Sequence, residues 1–309
     1  MIIVRFTGGL GNQMFQYALY EYLKNKYPEE TVKADISWYK WNEAHQGFEL
    51  KKIFERDENP SFKLDEASEF EIRRLSGKFP QKNEFIRYIN RFLRLFGEEK
   101  YKRMNIHDDG HGGSGGEIKK RIDSIKAGEN AYITGYYLDE GYYRDNLGNL
   151  RKAFSFDKKR VSDENRDILK DMADSESVSI HVRHGDYSSP VYNGTFKILG
   201  LEYYKKAVDF IRERVDDPRF FIFSDDTEYI KREFEFLDNK RVVTNNTGKD
   251  SYLDMMLMSN CKHNITANST FSEWAGLLND NPDAMIIYPK EYLKDKDSDI
   301  KTIPGWKRI

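Results

Sequence analysis

The sequence has a single cysteine, no long apolar run and no excess of either charge, and each absence excludes a class of protein. Cys261 alone cannot form an internal disulfide or a cysteine-rich zinc site. No run of about 18 apolar residues occurs, so no membrane-spanning helix is predicted. Lys and Arg number 50 against 52 Asp and Glu, for a net charge of -2. This balance gives no bulk attraction to nucleic acid.

The chain does have length, charge and aromatic residues. Its 309 residues favour two domains. Charged residues make up 33% and aromatic residues 14%, which indicates a polar surface around real cores rather than disorder. The first apolar residues reach Gly8 and Gly9 too soon to form the core of a signal peptide. We therefore expect a soluble, cytoplasmic protein.

The periodicity predicts an α/β fold with two lobes. From residue 177 onward strand and helix patterns alternate strictly, which is typical of a parallel, doubly wound sheet. The first part repeats this theme less regularly, with helices predicted over 62–76 and 84–97. We place the lobes at residues 1–165 and 166–309. The predicted C-terminal elements are strands at 177–182, 219–223, 241–244, 263–267 and 284–288, and helices at 201–214, 227–236, 251–259 and 270–278.

Two segments of the first lobe carry open alternatives. The predicted helix 84–97 is basic and aromatic, so it either touches a membrane surface peripherally or packs on the core with its arginine stems. Core packing is favoured. The glycine-rich segment 107–116 predicts a flexible loop. Its histidines and aspartates have no rigid frame, so no metal site is expected there.

Ligands of open α/β sheets bind at the carboxyl ends of the strands, and polar segments fall at several such ends here. The first is the glycine-rich turn Gly8–Gln13, between a strand and a helix. It has neither the dinucleotide spacing nor the lysine of a P-loop. It is therefore either a turn that needs glycine or a place where the backbone approaches an anionic ligand.

The strongest cluster follows the strand at 177–182. His181, Arg183, His184 and Asp186 lie within six residues, which predicts a site. Arg183 shares a face with His181 because one residue separates them. An arginine fork suits a phosphate group better than any other side chain.

Two further segments follow predicted strands. Ser224, Asp225 and Asp226 offer carboxylates for a metal or for hydroxyl groups, or an N-cap for the next helix. Segment 268–274 starts a helix, and its Thr270 and Glu273 have capping-box spacing. A capped helix start after a strand directs N–H groups toward an anion.

With these residues in view, the chain resembles the bacterial α-1,2-fucosyltransferases of glycosyltransferase family 11. The signature is Gly8–Ala18, and the resemblance covers nearly the whole chain. The other matching blocks, in the expected order, are 47–50, 135–137, 223–226 and 268–275.

The resemblance implies a GT-B-like fold: two Rossmann-like lobes with parallel sheets and a donor/acceptor cleft between them. The N-terminal lobe, with helical insertions, would serve the acceptor side and the C-terminal lobe would bind GDP-fucose. The implied reaction is an inverting, metal-independent transfer of L-fucose to the 2-hydroxyl of a terminal β-galactoside, in an oligosaccharide or a lipid-linked O-antigen unit.

The resemblance also implies roles for individual residues. Arg183 and His181 would face the diphosphate, and Asp186 would act as the base or orient Arg183. Asn12, with Gly11, would close over the donor from the other lobe. The remaining donor-binding residues are Ser224, Asp225, Asp254, Asn268, Ser269, Thr270 and Phe271, of which Asp225 and Asp254 would contact the nucleoside.

One departure concerns the basic motif, which in the family usually reads His-x-Arg-Arg-x-Asp. Here His184 replaces the second arginine, which weakens the fixed positive charge or gives His184 a role in protonating the leaving group. The acceptor-side segment 137–140 also departs from the usual Tyr-Trp-Gln-Ser.

Two rival readings remain. Arg183-His184-Gly185 is also the nucleophile triplet of histidine phosphatases, which need a second histidine downstream; only His263 is available. A non-catalytic protein that binds sugars or nucleotides is the other rival, and the change at His184 is its best support.

Overall fold

A computed structural model describes residues 1–42, 45–77, 103–108, 115–185, 196–291 and 303–309. The chain divides into two compact units, Met1–Ser155 and Phe156–Ile309. The predicted helix 84–97 lies outside the described residues, as do Asp186 and the centre of the glycine-rich segment. Within the described ranges no helix has the length and apolar character needed to cross a membrane.

The first unit is built on a parallel sheet of four strands in the order β2-β1-β4-β3. Its strands are β1 (Ile2–Arg5), β2 (Val32–Asp35), β3 (Arg103–Asp108) and β4 (Asn130–Gly135). Its helices are α1 (Leu10–Lys26), α2 (Leu50–Phe54), α3 (Glu69–Ser76), α4 (Gly115–Asp123) and α5 (Leu147–Ala153).

The second unit has a parallel sheet of six strands in the order β10-β9-β8-β5-β6-β7. Its strands are β5 (Glu176–Val182), β6 (Pro218–Ser224), β7 (Lys240–Val243), β8 (His263–Ile265), β9 (Ile286–Tyr288) and β10 (Lys307–Arg308). Its helices are α6 (Asp163–Ala173), α7 (Leu201–Arg212), α8 (Thr227–Glu233), α9 (Tyr252–Ser259) and α10 (Thr270–Leu278).

Strand β5 organises the core of the second unit. Val178, Ile180 and Val182 alternate along it and pack with Ile222 of β6 and Ile265 of β8 in one buried cluster. The alternation turns Ser177, Ser179 and His181 to the opposite face. Because β5 is central and its neighbours are parallel, its carboxyl end lies between those of β8 and β6.

The boundary between the units precedes the predicted one at residue 165. That residue lies inside α6, whose Asp171 pairs with Arg219 at 2.8 Å and with Arg241 at 3.1 Å. Arg219 and Arg241 belong to β6 and β7, so α6 belongs with the second sheet. The polar residues 157–160 precede this helix and contain no strand.

Two predictions for the first unit need correction. The segment predicted as a flexible loop from residue 107 begins inside β3, where Asp108 is buried and His107 Nδ1 lies 2.9 Å from the Thr134 hydroxyl. The helix predicted from residue 62 begins only at Glu69. Glu66 forms an extended bridge with Ala34, and Ser68 and Glu71 then form a capping box that sets the start of the helix.

Candidate functional site

The carboxyl ends of β8, β5, β6 and β7 lie side by side in the second sheet. The segments that follow them are 268–271, 183–185, 224–226 and 245–246. Three of these four segments were predicted as site segments from the sequence. Parallel pairing brings them to one edge, where such sheets bind their ligands.

Asp225 holds the loop that carries Arg183. Its Oδ1 accepts the backbone N–H groups of His184 and Gly185, each at 3.0 Å, and its Oδ2 lies 3.4 Å from Arg183 Nε. A side chain at position 185 would place its Cβ 3.2 Å from the Asp225 carbonyl oxygen, so glycine allows the close approach. Asp225 thus fixes the conformation of this loop.

Asp226 holds the imidazole of His184. Its Oδ2 lies 2.8 Å from His184 Nδ1, while its Oδ1 accepts the Tyr229 backbone N–H at 2.9 Å and caps α8. The predicted N-cap is thereby confirmed. The His184 ring stacks on the Tyr229 ring, with centroids 4.0 Å apart at 13°. The hydrogen bond from the Tyr229 N–H lowers the pKa of Asp226 most, and the hydrogen bond with His184 lowers it further. The carboxylate therefore stays ionised.

His181 is buried, with 4% of its surface exposed. Burial, helped by the charge of Arg183, lowers its pKa to about 3, so the imidazole is neutral near pH 7. Its ring lies 5.8 Å from that of Phe271, which joins β5 to the start of α10. Within the described residues its Nδ1 has no hydrogen-bond partner. His181 can therefore exchange a hydrogen bond with a ligand but does not supply a cation.

Helix α10 begins at the same edge and spans residues 270–278 as predicted, but its N-cap is not the Thr270 that the capping-box spacing indicated. The N-cap is Ser269, whose hydroxyl accepts the Phe271 N–H at 3.4 Å, so Thr270 already lies in the first turn. Asn268 is buried and donates its amide to the Lys197 carbonyl at 2.7 Å. The strand end and the cap together fix the position of the helix N-terminus.

Asp254, in the first turn of α9, accepts a hydrogen bond from Asn246 Nδ2 at 2.8 Å. Burial raises the pKa of Asp254 to about 7, against the opposing effect of Asn246. Asn246 was not among the predicted site residues. The signal was available, because Asn246 follows β7 just as the other segments follow their strands.

The glycine-rich turn of the first unit is held by a buried glutamine. Gln13 Nε2 donates to the carbonyls of Gly8 at 3.0 Å and Gly47 at 2.9 Å, and its Oε1 accepts the Glu49 N–H at 2.9 Å. Gly8 has φ +80°, and a Cβ there would come within 2.6 Å of Asn12 Nδ2. Glycine at position 8 is therefore required by conformation and by space.

A second glutamine ties the same turn to β4. Gln16 Oε1 accepts the Thr7 N–H at 3.0 Å, and its Nε2 donates to the Gly135 carbonyl at 2.8 Å. The blocks at 47–50 and 135–137, weak as separate motifs, are thus joined to the glycine turn by Gln13 and Gln16. Gly11 is buried and Asn12 half-buried in the first turn of α1.

The arrangement of a histidine phosphatase is not present. His263 begins β8 and pairs in register with Val178, near the start of β5, whereas His184 follows the other end of β5. His263 Nδ1 also accepts the Met285 N–H at 3.0 Å. In the part of the chain that the structure describes, no group of three or more His, Cys, Asp or Glu side chains is placed to hold a metal ion.

Curated relatives match almost the full length of the chain. An α-1,2-colitosyltransferase of Escherichia coli is 30% identical over 316 residues, covering 96% of this chain and 94% of the relative. The O-antigen biosynthesis glycosyltransferase WbnK of Escherichia coli is 26% identical over 332 residues, covering 97% of each.

Solved structures of fucosyltransferases share the fold. NodZ from Bradyrhizobium superposes with a TM-score of 0.53 at 14% identity, over 90% of this chain and 91% of that one. A NodZ α-1,6-fucosyltransferase crystal soaked with GDP-fucose gives 0.50 at 15% identity with the same coverage. The predicted GT-B-like α/β fold is thereby confirmed. The model of glycosyl transferase family 11 matches residues 1–309, and the chain belongs to that family.

Proposed function

We propose that this glycosyltransferase transfers L-fucose from GDP-β-L-fucose to the 2-hydroxyl of a terminal β-galactoside, with inversion and without a metal ion. The observation that supports this most is at the carboxyl edge of the second sheet. There the guanidinium of Arg183 follows β5, and the N-terminus of α10 follows the neighbouring strand β8. An arginine and a helix N-terminus on adjacent strand ends suit a diphosphate.

Arg183 and the first turn of α10 take the pyrophosphate in this proposal. The side chain of Arg183 is about one quarter exposed, so its fork can meet a ligand. Ser269, Thr270 and Phe271 contribute hydroxyl and N–H groups at the positive end of the helix dipole. The neutral His181, beside both groups, adds a hydrogen bond rather than a charge.

Asp254 is assigned to the guanine base. An ionised carboxylate accepts hydrogen bonds only, and the N1–H and 2-amino group of guanine are donors. Asp225 was expected to share this role. Because its carboxylate holds the loop of Arg183, the assignment favours Asp254. Ser224 supports the Asp226 turn, since its hydroxyl accepts the Asp226 N–H at 3.0 Å.

The chemical step is a single displacement. The acceptor oxygen forms a bond to the anomeric carbon on the face opposite the nucleotide, while the bond from that carbon to the β-phosphate oxygen breaks and its electron pair stays on GDP. The hydroxyl proton leaves to a base; Asp186 is predicted either to be that base or to orient Arg183. Preorganised donors that meet the developing charge contribute on the order of 3 kcal/mol each in comparable sites.

His184 is proposed to assist departure of GDP. Asp226 occupies its Nδ1, so in the imidazolium form Nε2–H is the remaining donor. The ring's stack on Tyr229 restricts its rotation. Asp226 fixes the edge of the His184 ring and Tyr229 fixes its face. A ring fixed in this way suits a defined role beside the phosphates.

The acceptor side rests on the relatives. The transferase named for O-antigen biosynthesis and the α-1,2 linkage in the name of the colitosyltransferase support a glycan acceptor and attack by a 2-hydroxyl. The roles of Gly11 and Asn12 in covering the donor, and peripheral binding to a membrane, stay predictions.

A second candidate donor carries colitose in place of fucose. Its support is the α-1,2-colitosyltransferase, which is 30% identical over almost all of both chains. Colitose lacks the 3-hydroxyl of L-fucose and is otherwise the same sugar. The two donors therefore differ by a single polar group, and transfer assays with both will separate them.

The experiment is to incubate the protein with GDP-fucose and a panel of galactosides in EDTA, and to determine the product linkage by NMR. We expect an α-1,2-linked fucosyl product, which the Arg183→Ala variant does not form. Binding of GDP-fucose without transfer to any galactoside would support the non-catalytic alternative. A requirement for added divalent metal would contradict the proposed charge stabilisation.

A further inference from the structure

Two buried asparagines and the half-buried Asn245 form a hydrogen-bond network behind Asp254. Asn165 Nδ2 donates to Asn246 Oδ1 at 2.8 Å, and Asn246 Nδ2 lies 3.2 Å from Asn165 Oδ1. The two amides therefore bond to each other reciprocally. Asn165 is fully buried and Asn246 is 8% exposed. Asn245 adds a third amide, donating to Asn165 Oδ1 at 2.7 Å.

The network has one orientation, which the carboxylate dictates. Asn246 Nδ2 donates to Asp254 Oδ1 at 2.8 Å, and above its raised pKa of about 7 the carboxylate offers acceptors only. The Asn246 oxygen then faces Asn165, which must present its own nitrogen. Reversing either amide would place like groups against each other. Each link thus fixes the next.

The far end of the network is anchored in α6. Asn165 lies in the first turn of that helix, where its backbone N–H bonds to the hydroxyl of the N-cap Ser162 at 3.2 Å. Asn246 follows β7, and Asp254 lies in α9. Three separate elements are therefore joined by amide groups that end on a single carboxylate at the carboxyl edge of the sheet.

A stable core alone does not call for this chemistry. Apolar side chains of the same volume fill a buried space without needing partners, whereas each buried amide needs hydrogen-bond partners. Polar networks instead restrict side chains to one arrangement. The arrangement fixed here is that of Asp254, which is less buried than Asn165 and Asn246.

We propose that Asn246, locked by Asn165, is a positioning residue that aims the Asp254 carboxylate at the N1–H and 2-amino groups of guanine and so sets the nucleotide specificity of the donor site. The inference rests on the proposed function. It goes beyond that function by assigning base selectivity to two residues that do not themselves contact the nucleotide.

The test compares the affinity for GDP with that for IDP, which lacks only the 2-amino group. One hydrogen bond from that group to a carboxylate favours GDP by roughly tenfold or more. The Asn246→Leu variant removes the hydrogen bond that orients the Asp254 carboxylate. We expect its preference for GDP over IDP, measured as the ratio of the two affinities, to fall to about twofold. Asn165→Leu should lower the ratio in the same direction.

Asn264→Leu is the matched control. Asn264 is also buried in the second unit and donates to Ser179 Oγ and the Met258 carbonyl, each at 2.7 Å, outside this network. It should lower the melting temperature and keep the wild-type ratio. If Asn246→Leu does not fold, Asn246→Ser provides the smaller change.

The outcomes distinguish failure of the guanine assignment from failure of the positioning role. A wild-type protein without preference for GDP overturns the assignment of guanine to Asp254, and this inference with it. A wild-type protein that prefers GDP, together with Asn246 variants that keep this preference within twofold, leaves the proposed function standing and overturns the positioning role alone.

Discussion

The two units fix the loops at their sheet edges by different chemistry. In the first unit the glycine turn is held by the neutral amides of Gln13 and Gln16. In the second unit the corresponding loops are held by the carboxylates of Asp225 and Asp226. Amide groups stay neutral at every pH at which the protein is folded, whereas carboxylates carry charge near pH 7 and imidazoles gain or lose it there. The side chains that fix the second edge thus carry charge, whereas those that fix the glycine turn are neutral.

This difference indicates that the glutamines mainly stabilise the fold, whereas the charged groups at the second edge mainly serve the reaction. Changes at the glutamines should appear mainly as lost stability, because several backbone groups depend on each side chain. Changes at the second edge should appear mainly in the reaction or in its dependence on pH. The four predictions below test that division, from the largest effect to the smallest.

Arg183→Lys should lower kcat/KM for transfer on the order of 100-fold, nearly as much as Arg183→Ala, because lysine keeps the charge but loses the fork that binds phosphate oxygens. Steady-state kinetics with GDP-fucose measure this. Arg219→Lys is the control, since Arg219 pairs with Asp171 near the start of β6, at the other edge of the same sheet. A lysine variant with nearly normal kcat/KM would refute the role of the fork.

Gln13→Met should lower the free energy of unfolding by about 3 kcal/mol, because methionine fills the space but leaves the Gly8 and Gly47 carbonyls and the Glu49 N–H without their partner. Thermal and urea unfolding measure the loss. The exposed Gln46 provides the control, as Gln46→Met should be neutral. An unchanged melting temperature in the Gln13 variant would show that the hydrogen bonds of Gln13 do not stabilise the glycine turn.

Asp254→Asn should raise the free energy of unfolding by about 2 kcal/mol at pH 8 while weakening GDP binding. Burial raises the pKa of Asp254 from 3.8 to about 7, so the folded protein retains a proton that the unfolded chain releases in that window. Stability from this group therefore falls as pH rises from about 4 to 7, and asparagine removes the loss. The gain should be smallest near pH 4; a gain independent of pH would contradict this account.

Asp226→Asn should have the smallest effect, a loss of about fivefold in kcat/KM with less than about 0.5 kcal/mol of stability. Asparagine still caps α8 through its oxygen, but it presents an N–H to His184 instead of an acceptor. Asp226→Ala loses the cap as well and should cost about 1 kcal/mol more. Equal melting temperatures for the two variants would show that the cap contributes little.

Much of the second unit could be predicted because its signals are local. Each of β5 to β9 and α7 to α10 has its own periodic pattern, and their alternation gives the parallel topology. Strand β3 of the first unit lacks such a signal. Four of its six residues are polar and it runs into a glycine-rich segment, so its place at the sheet edge depends on pairing with β4.

The site shows the same limit. The segments after β5, β6 and β8 were predicted because ligands bind where parallel strands end. Asn165 was not, because its partner Asn246 is 81 residues away and no spacing rule connects them. The bounds of α10 were predicted correctly, but its N-cap was assigned to Thr270 instead of Ser269, because both residue types are good N-caps and only the backbone turn decides between them.

The carboxylate of Asp226 gives one oxygen to the first turn of α8 and the other to the ring of His184. Since both oxygens rotate about the same bond, fraying of that turn and release of the ring become one event. A ligand that binds against the imidazole would thereby stabilise the first turn of α8, which it does not contact.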